Sequence, residues 1–240
     1  MSAARVPTTA MVMAAGLGTR MRPLTDTRPK PLIEVAGKPL IDHVLDRLDA
    51  AGIEQAVVNV HYLADAMDAH LAGRRRGPHV IVSDERDLLL ETGGGLVRAA
   101  PHLGDPFLSL NSDNLWTDGS GDTLVKLAEA WDGDTMDALL LLVPLERAGN
   151  HRGKGDFFLA DDGRVRRRGE ADSAPFVFSG IQICAKTLLR DAPDGPFSTN
   201  VLWTRAIAKG RCFGVIHDGR WFDVGNPEAI AATEAELVDG

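Results

Sequence analysis

An apolar run, Ala10-Met-Val-Met-Ala-Ala15, leads straight into a turn rich in glycine and cations, residues 16–32. Together they predict a buried first strand that ends in a ligand-facing loop. The loop reads Gly-Leu-Gly-Thr-Arg-Met-Arg-Pro-Leu-Thr-Asp-Thr-Arg-Pro-Lys-Pro-Leu. Glycines at 16 and 18 let the backbone turn tightly and bring bare N–H groups up to an anion. Arg20, Arg22, Arg28 and Lys30 place four cations within eleven residues of that turn. Such a loop suits a polyphosphate. No Lys-[Ser/Thr] pair closes it, and Met21 stands where a dinucleotide fingerprint needs its third glycine, so neither common phosphate loop applies.

With 240 residues, 44% of them hydrophobic and 25% charged, the chain is expected to form one sizeable globular domain. A net charge of −8 argues against a nucleic-acid partner, which needs broad basic surface. Cys184 and Cys212 cannot staple a framework, and both are expected as buried free thiols in a reducing compartment. The seven histidines show no paired ligand spacing, which disfavours zinc. Segment 10–15 is too short for a secretion signal, and no run reaches membrane-spanning length. These features predict a soluble, cytoplasmic protein with no membrane partner.

Strand-like and helix-like stretches alternate through the first half. Strands are predicted at 10–15, 56–60, 79–83, 107–111 and 138–143, with helices at 39–52, 63–72, 95–100 and 122–131 between them. This alternation implies a parallel sheet covered on both faces, with ligands at the carboxyl ends of the strands. Gly16 and Asp113 both fall there. The second half predicts a hairpin at 156–168, strands at 176–183 and 213–216, and helices near 197–209 and 227–238. The reading is a single domain over 1–240, with one lobe at about 8–145 and another at about 146–240.

The order Gly16-x-Gly-Thr-Arg-Met-x-Pro-Leu-Thr25, followed by Pro29-Lys-Pro-Leu32, resembles the signature of the sugar-1-phosphate nucleotidyltransferases. The resemblance extends from Ala10 to about Ala231. It implies a three-layer α/β/α, Rossmann-like fold with a mostly parallel mixed sheet. It also implies an Mg²⁺-dependent enzyme that joins a nucleoside triphosphate to a sugar 1-phosphate and releases pyrophosphate. The resemblance assigns Ala14, Ala15, Gly16, Leu17, Gly18 and Thr19 to the nucleotide. Arg20 would meet the nucleotide and its departing pyrophosphate, and Lys30 the phosphate in transfer.

Asp113 lies in a Ser112-Asp113 pair where relatives carry Gly-Asp, and Asp223 in Trp221-Phe-Asp-Val-Gly-Asn226. The resemblance makes them joint Mg²⁺ ligands, with Asp113 also catalytic; as residues alone, either aspartate equally reads as a helix cap. Glu85, Thr92, Gly93, Gly94 and Ser112 are expected around the base and ribose. The Glu91-Thr-Gly-Gly-Gly95 segment resembles the N-acetylmuramate 1-phosphate uridylyltransferases of cell-wall sugar recycling, which points to UTP.

On the sugar side the resemblance picks out Asn111, Asn150, Asp156, Ser179 and Gly180. The Glu-Lys pair common in the family is replaced by Arg166-Arg-Arg168-Gly-Glu170, which leaves an arginine or Lys154 to take the lysine's place. Rival readings are a mannose- or heptose-1-phosphate guanylyltransferase, a glucose-1-phosphate thymidylyltransferase, and a nucleotide-sugar-sensing subunit without turnover. The expected assembly is a monomer or small homo-oligomer.

Overall fold

A computed structural model describes residues 6–238. The first half runs β1 (Thr9–Met13), β2 (Glu34–Val35), β3 (Lys38–Pro39), α1 (Leu40–Ala50), β4 (Gln55–Val60), α2 (Ala64–Gly73), β5 (His79–Asp84), α3 (Glu91–Ala99) and β6 (Phe107–Asn111). It continues through β7 (Asn114–Trp116), α4 (Thr123–Glu129) and β8 (Ala138–Pro144). The second half adds β9 (Ala148–Gly149), β10 (Phe157–Leu159), β11 (Val165–Arg167), β12 (Phe176–Cys184), α5 (Asn200–Ala208), β13 (Cys212–Ile216), β14 (Trp221–Asp223) and α6 (Pro227–Val238).

One nine-stranded sheet carries both halves, in the order β11-β10-β12-β6-β1-β4-β5, with β8 paired to β12 and β13. Strands β6, β1, β4 and β5 are mutually parallel, as is the β8–β13 pair, whereas β12 runs antiparallel to β6, β8 and β10. The expected α/β class with a largely parallel mixed sheet is the observed one. Strand periodicity splits the core into two layers. Ala10 and Val12 of β1 face one cluster with Leu139 and Leu141 of β8, under α1, α2 and α4. Met11, Leu140 and Leu142 face the other, under α3 and α5.

Helix α1 shows why the pattern works. Leu40, Ile41, Val44, Leu45 and Leu48 form its buried stripe, and each such side chain contributes about 1.5–3 kcal/mol on burial. A third, smaller cluster of Met21, Val35, Leu40, Leu115, Phe222 and Val224 lies beneath a three-stranded sheet ordered β7-β14-β9. That sheet has no counterpart in the sequence expectation, because strands of two and three residues are too short to show a period. Helix α3 also starts earlier than expected, at Glu91, so the glycines at 93–95 lie inside it. Cys184 and Cys212 are buried free thiols, and burial pushes Cys212 up to about 12. No helix among the described residues is long and apolar enough to cross a membrane.

Candidate active site

The chain leaves β1 through Ala14, Ala15 and Gly16 and doubles back at Gly18. Gly18 adopts φ 63°, and a Cβ there would lie 3.0 Å from both Lys30 Cβ and Thr25 Cγ2. Only glycine meets both demands. The Gly18 carbonyl accepts from Thr25 Oγ1 at 2.8 Å and from Met21 N–H at 2.9 Å, which closes a short 3-10 turn over Thr19–Met21. A second such turn, Lys30–Leu32, carries Lys30 between Pro29 and Pro31.

Behind this loop runs a buried polar brace. Ala14 N–H donates to Asn59 Oδ1 at 2.7 Å, and Asn59 Nδ2 donates to Glu85 Oε1 at 2.8 Å. The other carboxylate oxygen of Glu85 accepts from Leu90 N–H at 3.1 Å. One expectation is corrected here. Glu85 is wholly buried and fully engaged, so it braces the loop rather than meeting a base. The Ala14 amide is spent on Asn59, and Ala14 itself lines the first of two cavities.

The small sheet solves the problem of joining two aspartates far apart in sequence. Strands β7 and β14 pair antiparallel with Asn114 opposite Asp223, and Val224 N–H donates to Asp113 O at 3.1 Å. The two carboxylates therefore leave adjacent backbone. Lys30 Nζ donates to Asp113 Oδ2, with both side chains largely buried. Burial first, and then the Asp113 charge, pushes the Asp223 carboxyl above its ordinary value, while Lys30, Arg20 and His151 pull the other way. The Arg20 guanidinium lies beside Gly225, where a Cβ would be 3.0 Å from Arg20 Nη1 and 3.1 Å from Asp223 Oδ1.

Helix α6 takes its cap from Asn226, whose Oδ1 accepts from Ala229 N–H at 3.0 Å. Asp223 sits at the end of β14 and Asp113 is followed by β7, so neither caps a helix. No cluster of three or more His, Cys, Asp or Glu side chains suited to a metal occurs among the described residues. The Asp113–Asp223 pair instead fits a hard cation that draws its remaining oxygens from phosphate and water. Two crowded carboxylates, one already destabilised as an anion, present the charge such an ion relieves.

Two cavities meet at this pair. The first, about 390 Å³, is walled by Ala14, Ala15, Gly16, Lys30, Asn59, Thr92 and Ser112. The second, about 350 Å³, is walled by Arg20, His151, Asp156, Arg167, Trp203, Trp221 and Asp223. Asn111 and Asp113 line both. Six buried side-chain polar atoms lack a hydrogen-bond partner among the described residues, and three of them (Asn114 Oδ1, His151 Nε2 and Arg167 Nε) belong to walls of the second cavity. Buried polar groups are ordinarily satisfied, so their concentration marks the place of a polar ligand.

Residues 9–151, more than half of the chain, match the Nucleotidyl transferase family. The protein belongs to that family. It is 48% identical to the N-acetylmuramate alpha-1-phosphate uridylyltransferase of Caulobacter vibrioides, over 98% of this chain and 99% of the relative. It is 38% identical to the protein of the same name from Neisseria meningitidis, over 96% and 98% of the two chains. Among solved structures, the inositol-1-phosphate CTP transferase from T. maritima superposes with a TM-score of 0.77 over 98% of this chain and 96% of that one. At 18% identity this likeness speaks for the fold alone. The chain is thus a nucleotidyltransferase of the sugar-1-phosphate type.

The remaining expected residues of the enzyme divide by location. Thr92 lines the first cavity and also accepts from Thr199 N–H at 2.9 Å. Gly93 and Gly94 do not reach it. Three successive glycines cost a helix roughly 3 kcal/mol relative to alanine, so a close neighbour must require them. That neighbour is segment 195–197: Gly93 and Gly94 donate to Phe197 O at 2.8 and 3.2 Å. A Cβ on Gly94 would come within 2.6 Å of Gly195 O. They are packing glycines, which corrects their assignment to the nucleotide. Leu17, Gly18 and Thr19 border the loop outside the cavity wall, and Arg20 faces the second cavity.

On the sugar side, Asp156 lines the second cavity while its Oδ2 accepts from Phe178 N–H at 3.0 Å. Gly180, at φ 84°, sits at a bulge in β12 beside Asn111 and Asn114, in a recess that shares Asn111 with the walls of both cavities. Ser179 is corrected: it is wholly buried, its Oγ accepts from Ile181 N–H at 3.1 Å, and its carbonyl accepts from Trp221 Nε1 at 2.8 Å. Asn150 is corrected too, since its Nδ2 donates to Thr233 Oγ1 at 3.1 Å and ties the chain after β9 to α6.

Sequence reasoning missed Asn59, His151, Asn200 and Trp203. It also left unassigned which arginine of 166–168 faces inward. Strand alternation supplies that signal, because Arg167 must point away from Arg166 and Arg168. Arg166 stacks on Phe158 at 4.2 Å, Arg168 donates to Gly155 O and Ala171 O, and Arg167 lines the second cavity.

Proposed function

We propose that the enzyme transfers UMP from UTP to N-acetylmuramate 1-phosphate, giving the UDP-sugar and pyrophosphate. The observation that carries the reading is 48% identity, across almost the whole of both chains, to a uridylyltransferase of that specificity. Geometry supplies the reaction type: two cavities share Asn111 and Asp113, as a transfer between two bound substrates requires. UTP occupies the cavity beside Ala15 and Gly16, and the sugar phosphate occupies the one beside Asp156 and Trp221.

A phosphate oxygen of the sugar attacks the α-phosphorus in line. The new O–P bond forms as the bond to the β-phosphate breaks, and pyrophosphate carries that electron pair away. The attacking oxygen is already ionised, so no side-chain base is needed, and catalysis is positioning plus charge neutralisation. Lys30, fixed by two prolines and by Asp113, neutralises the phosphoryl group in transfer. Arg20, exposed beside Asp223, offsets the leaving pyrophosphate. Asp113 and Asp223 hold Mg²⁺, which when bound supplies Lewis-acid neutralisation of the phosphates. The substrates place the enzyme in cytoplasmic recycling of cell-wall sugars.

The test is a matrix of UTP, GTP, CTP and dTTP against N-acetylmuramate, N-acetylglucosamine, glucose and mannose 1-phosphates, read as pyrophosphate released with Mg²⁺ present. UTP with N-acetylmuramate 1-phosphate is expected to give the highest kcat/KM. Turnover with GTP equal to or above that with UTP on every sugar refutes the base assignment, and absence of turnover throughout selects a sensing subunit.

A further inference from the structure

Arg167 closes β11, the outermost strand of the main sheet. Its guanidinium lies 5.1 Å from the Phe157 ring centre and 5.4 Å from that of Trp203. Its Nη1 donates to Asn200 Oδ1 at 2.8 Å and its Nη2 to Asn200 O at 3.0 Å. Both acceptors are neutral, and its Nε–H is buried without a partner. Arg47, Arg74 and Arg211, which are comparably shielded, each meet an aspartate, whereas Arg168 and Arg205 spend themselves on backbone carbonyls and do not line this cavity. Arg167 is therefore a cation fixed by aromatic walls and an asparagine and turned to a cavity; the Asp156 carboxylate of the same cavity acts on it through space but makes no hydrogen bond to it, its Oδ2 being held by Phe178 N–H. Burial also lowers its ordinary value, as expected for a guanidinium stripped of water. An arrangement of this kind awaits an anion.

Position tells which part of the ligand that anion belongs to. Asp113 follows β6, and β12 and β10 stand between β6 and β11. Three strand spacings of about 4.8 Å put the two backbones roughly 14 Å apart. The phosphate in transfer sits at Asp113, among Lys30, Arg20 and Asp223. Arg167 faces the body of the sugar from the opposite wall. On the sugar assignment proposed above, that body carries one further anion, the carboxylate of the acidic ether arm that distinguishes N-acetylmuramate from neutral N-acetylglucosamine.

We propose that Arg167 is the carboxylate receptor of the sugar cavity and selects N-acetylmuramate 1-phosphate over N-acetylglucosamine 1-phosphate. The fork of Nε–H and the free Nη–H bonds takes the carboxylate, while Asn200, Phe157 and Trp203 hold the guanidinium ready.

The experiment measures kcat and KM with UTP for both sugar 1-phosphates in the wild type, Arg167→Gln and Arg167→Lys, with thermal melts to verify folding. Loss of a charge-assisted hydrogen bond should lower the ratio of kcat/KM values, acidic sugar over neutral sugar, by roughly 10–100-fold in Arg167→Gln. The change should appear mainly in the KM of the acidic sugar. Arg167→Lys, which keeps the charge but not the fork, should hold an intermediate ratio. A ratio unmoved in both variants overturns the proposal, whether the loss is shared by the two sugars, as for a phosphate contact, or absent. Should Arg167→Gln fail to fold, the Arg167→Lys ratio decides alone. Wild-type enzyme that turns over other sugar 1-phosphates but not N-acetylmuramate 1-phosphate overturns the sugar assignment itself.

Discussion

The two cavities are built on opposite principles. The walls of the first are largely pre-satisfied: Lys30 already meets Asp113, and the Ala14 amide already meets Asn59. The second gathers unsatisfied atoms from three separate segments, at Asn114, His151 and Arg167. A phosphate-binding region gains from rigidity, since its donors must meet charge as it develops without first reorganising. A sugar site gains from unmet hydrogen-bonding capacity, because a ligand lacking the matching group then leaves buried polar atoms unpaired and is rejected. The difference assigns sugar selectivity to the second cavity, and rate to the first together with the Asp113–Asp223 junction it shares with the second.

The largest expected effect tests the junction of the cavities. Asp223→Asn keeps the volume and removes the charge, and Asn is a poor sole partner for a divalent ion. At limiting Mg²⁺, Asp113→Asn and Asp223→Asn should each fold normally and lose roughly 10³-fold or more in kcat, above the 10–100-fold typical of groups one step from a metal. The double variant should lose little more than the worse single, because members of one unit are not additive. Additive losses would show that the two carboxylates act apart.

Lys30→Ala should cost roughly 10²-fold in kcat, the scale of a preorganised donor to developing charge. Affinity for UTP, measured by calorimetry without the sugar, should weaken far less. An unchanged kcat with a raised KM would move Lys30 from the rate side of the comparison to simple binding.

Legibility in the sequence follows the same divide. The phosphate loop was readable because its glycines, cations and prolines are contiguous, and a contiguous motif needs no knowledge of the fold. The alternating strands and helices of the main sheet were readable because each runs through at least one full period. The union of Asp113 with Asp223 was legible only through the family resemblance and not from the residues themselves, since it depends on the register of β7 against β14, three residues each. The brace through Asn59 and Glu85 was hidden for another reason: a buried asparagine and glutamate look like surface residues until the fold packs β4 between β1 and β5 and folds the segment after β5 over them. Gly93 and Gly94 misled because a glycine that yields to a ligand and one that yields to a neighbouring loop are the same letter.

Gly93→Ala separates those two uses. A Cβ there would run into the Phe197 ring and approach Phe197 O at 2.8 Å. Overpacking of this kind costs about 1–3 kcal/mol, and a domain of this size loses about 2–4 °C in Tm per kcal/mol. The melt should fall by several degrees, with the KM for UTP little changed. An unaltered melt together with a weakened UTP affinity would return Gly93 to the nucleotide cavity.

The smallest effect concerns Asn150, whose side chain holds α6 by its bond to Thr233 Oγ1 and whose backbone sits at φ 64°. Two costs are separable there. Asn150→Gly removes the hydrogen bond but relieves the left-handed backbone, so it should lower stability by about 0.5–1.5 kcal/mol. Asn150→Ala removes the same bond and keeps a Cβ in that conformation without asparagine's tolerance of it, which places it roughly 1 kcal/mol below the Gly variant. Denaturant melts should rank the variants wild type, then Gly, then Ala, with the KM for the sugar 1-phosphate unmoved in all three. A tether predicts that order, because only stability depends on it. A direct sugar contact predicts the reverse pattern: equal melts, and a KM raised alike by Gly and Ala, since both delete the same amide. That outcome would enlarge the selective cavity at the expense of the small sheet's attachment to α6.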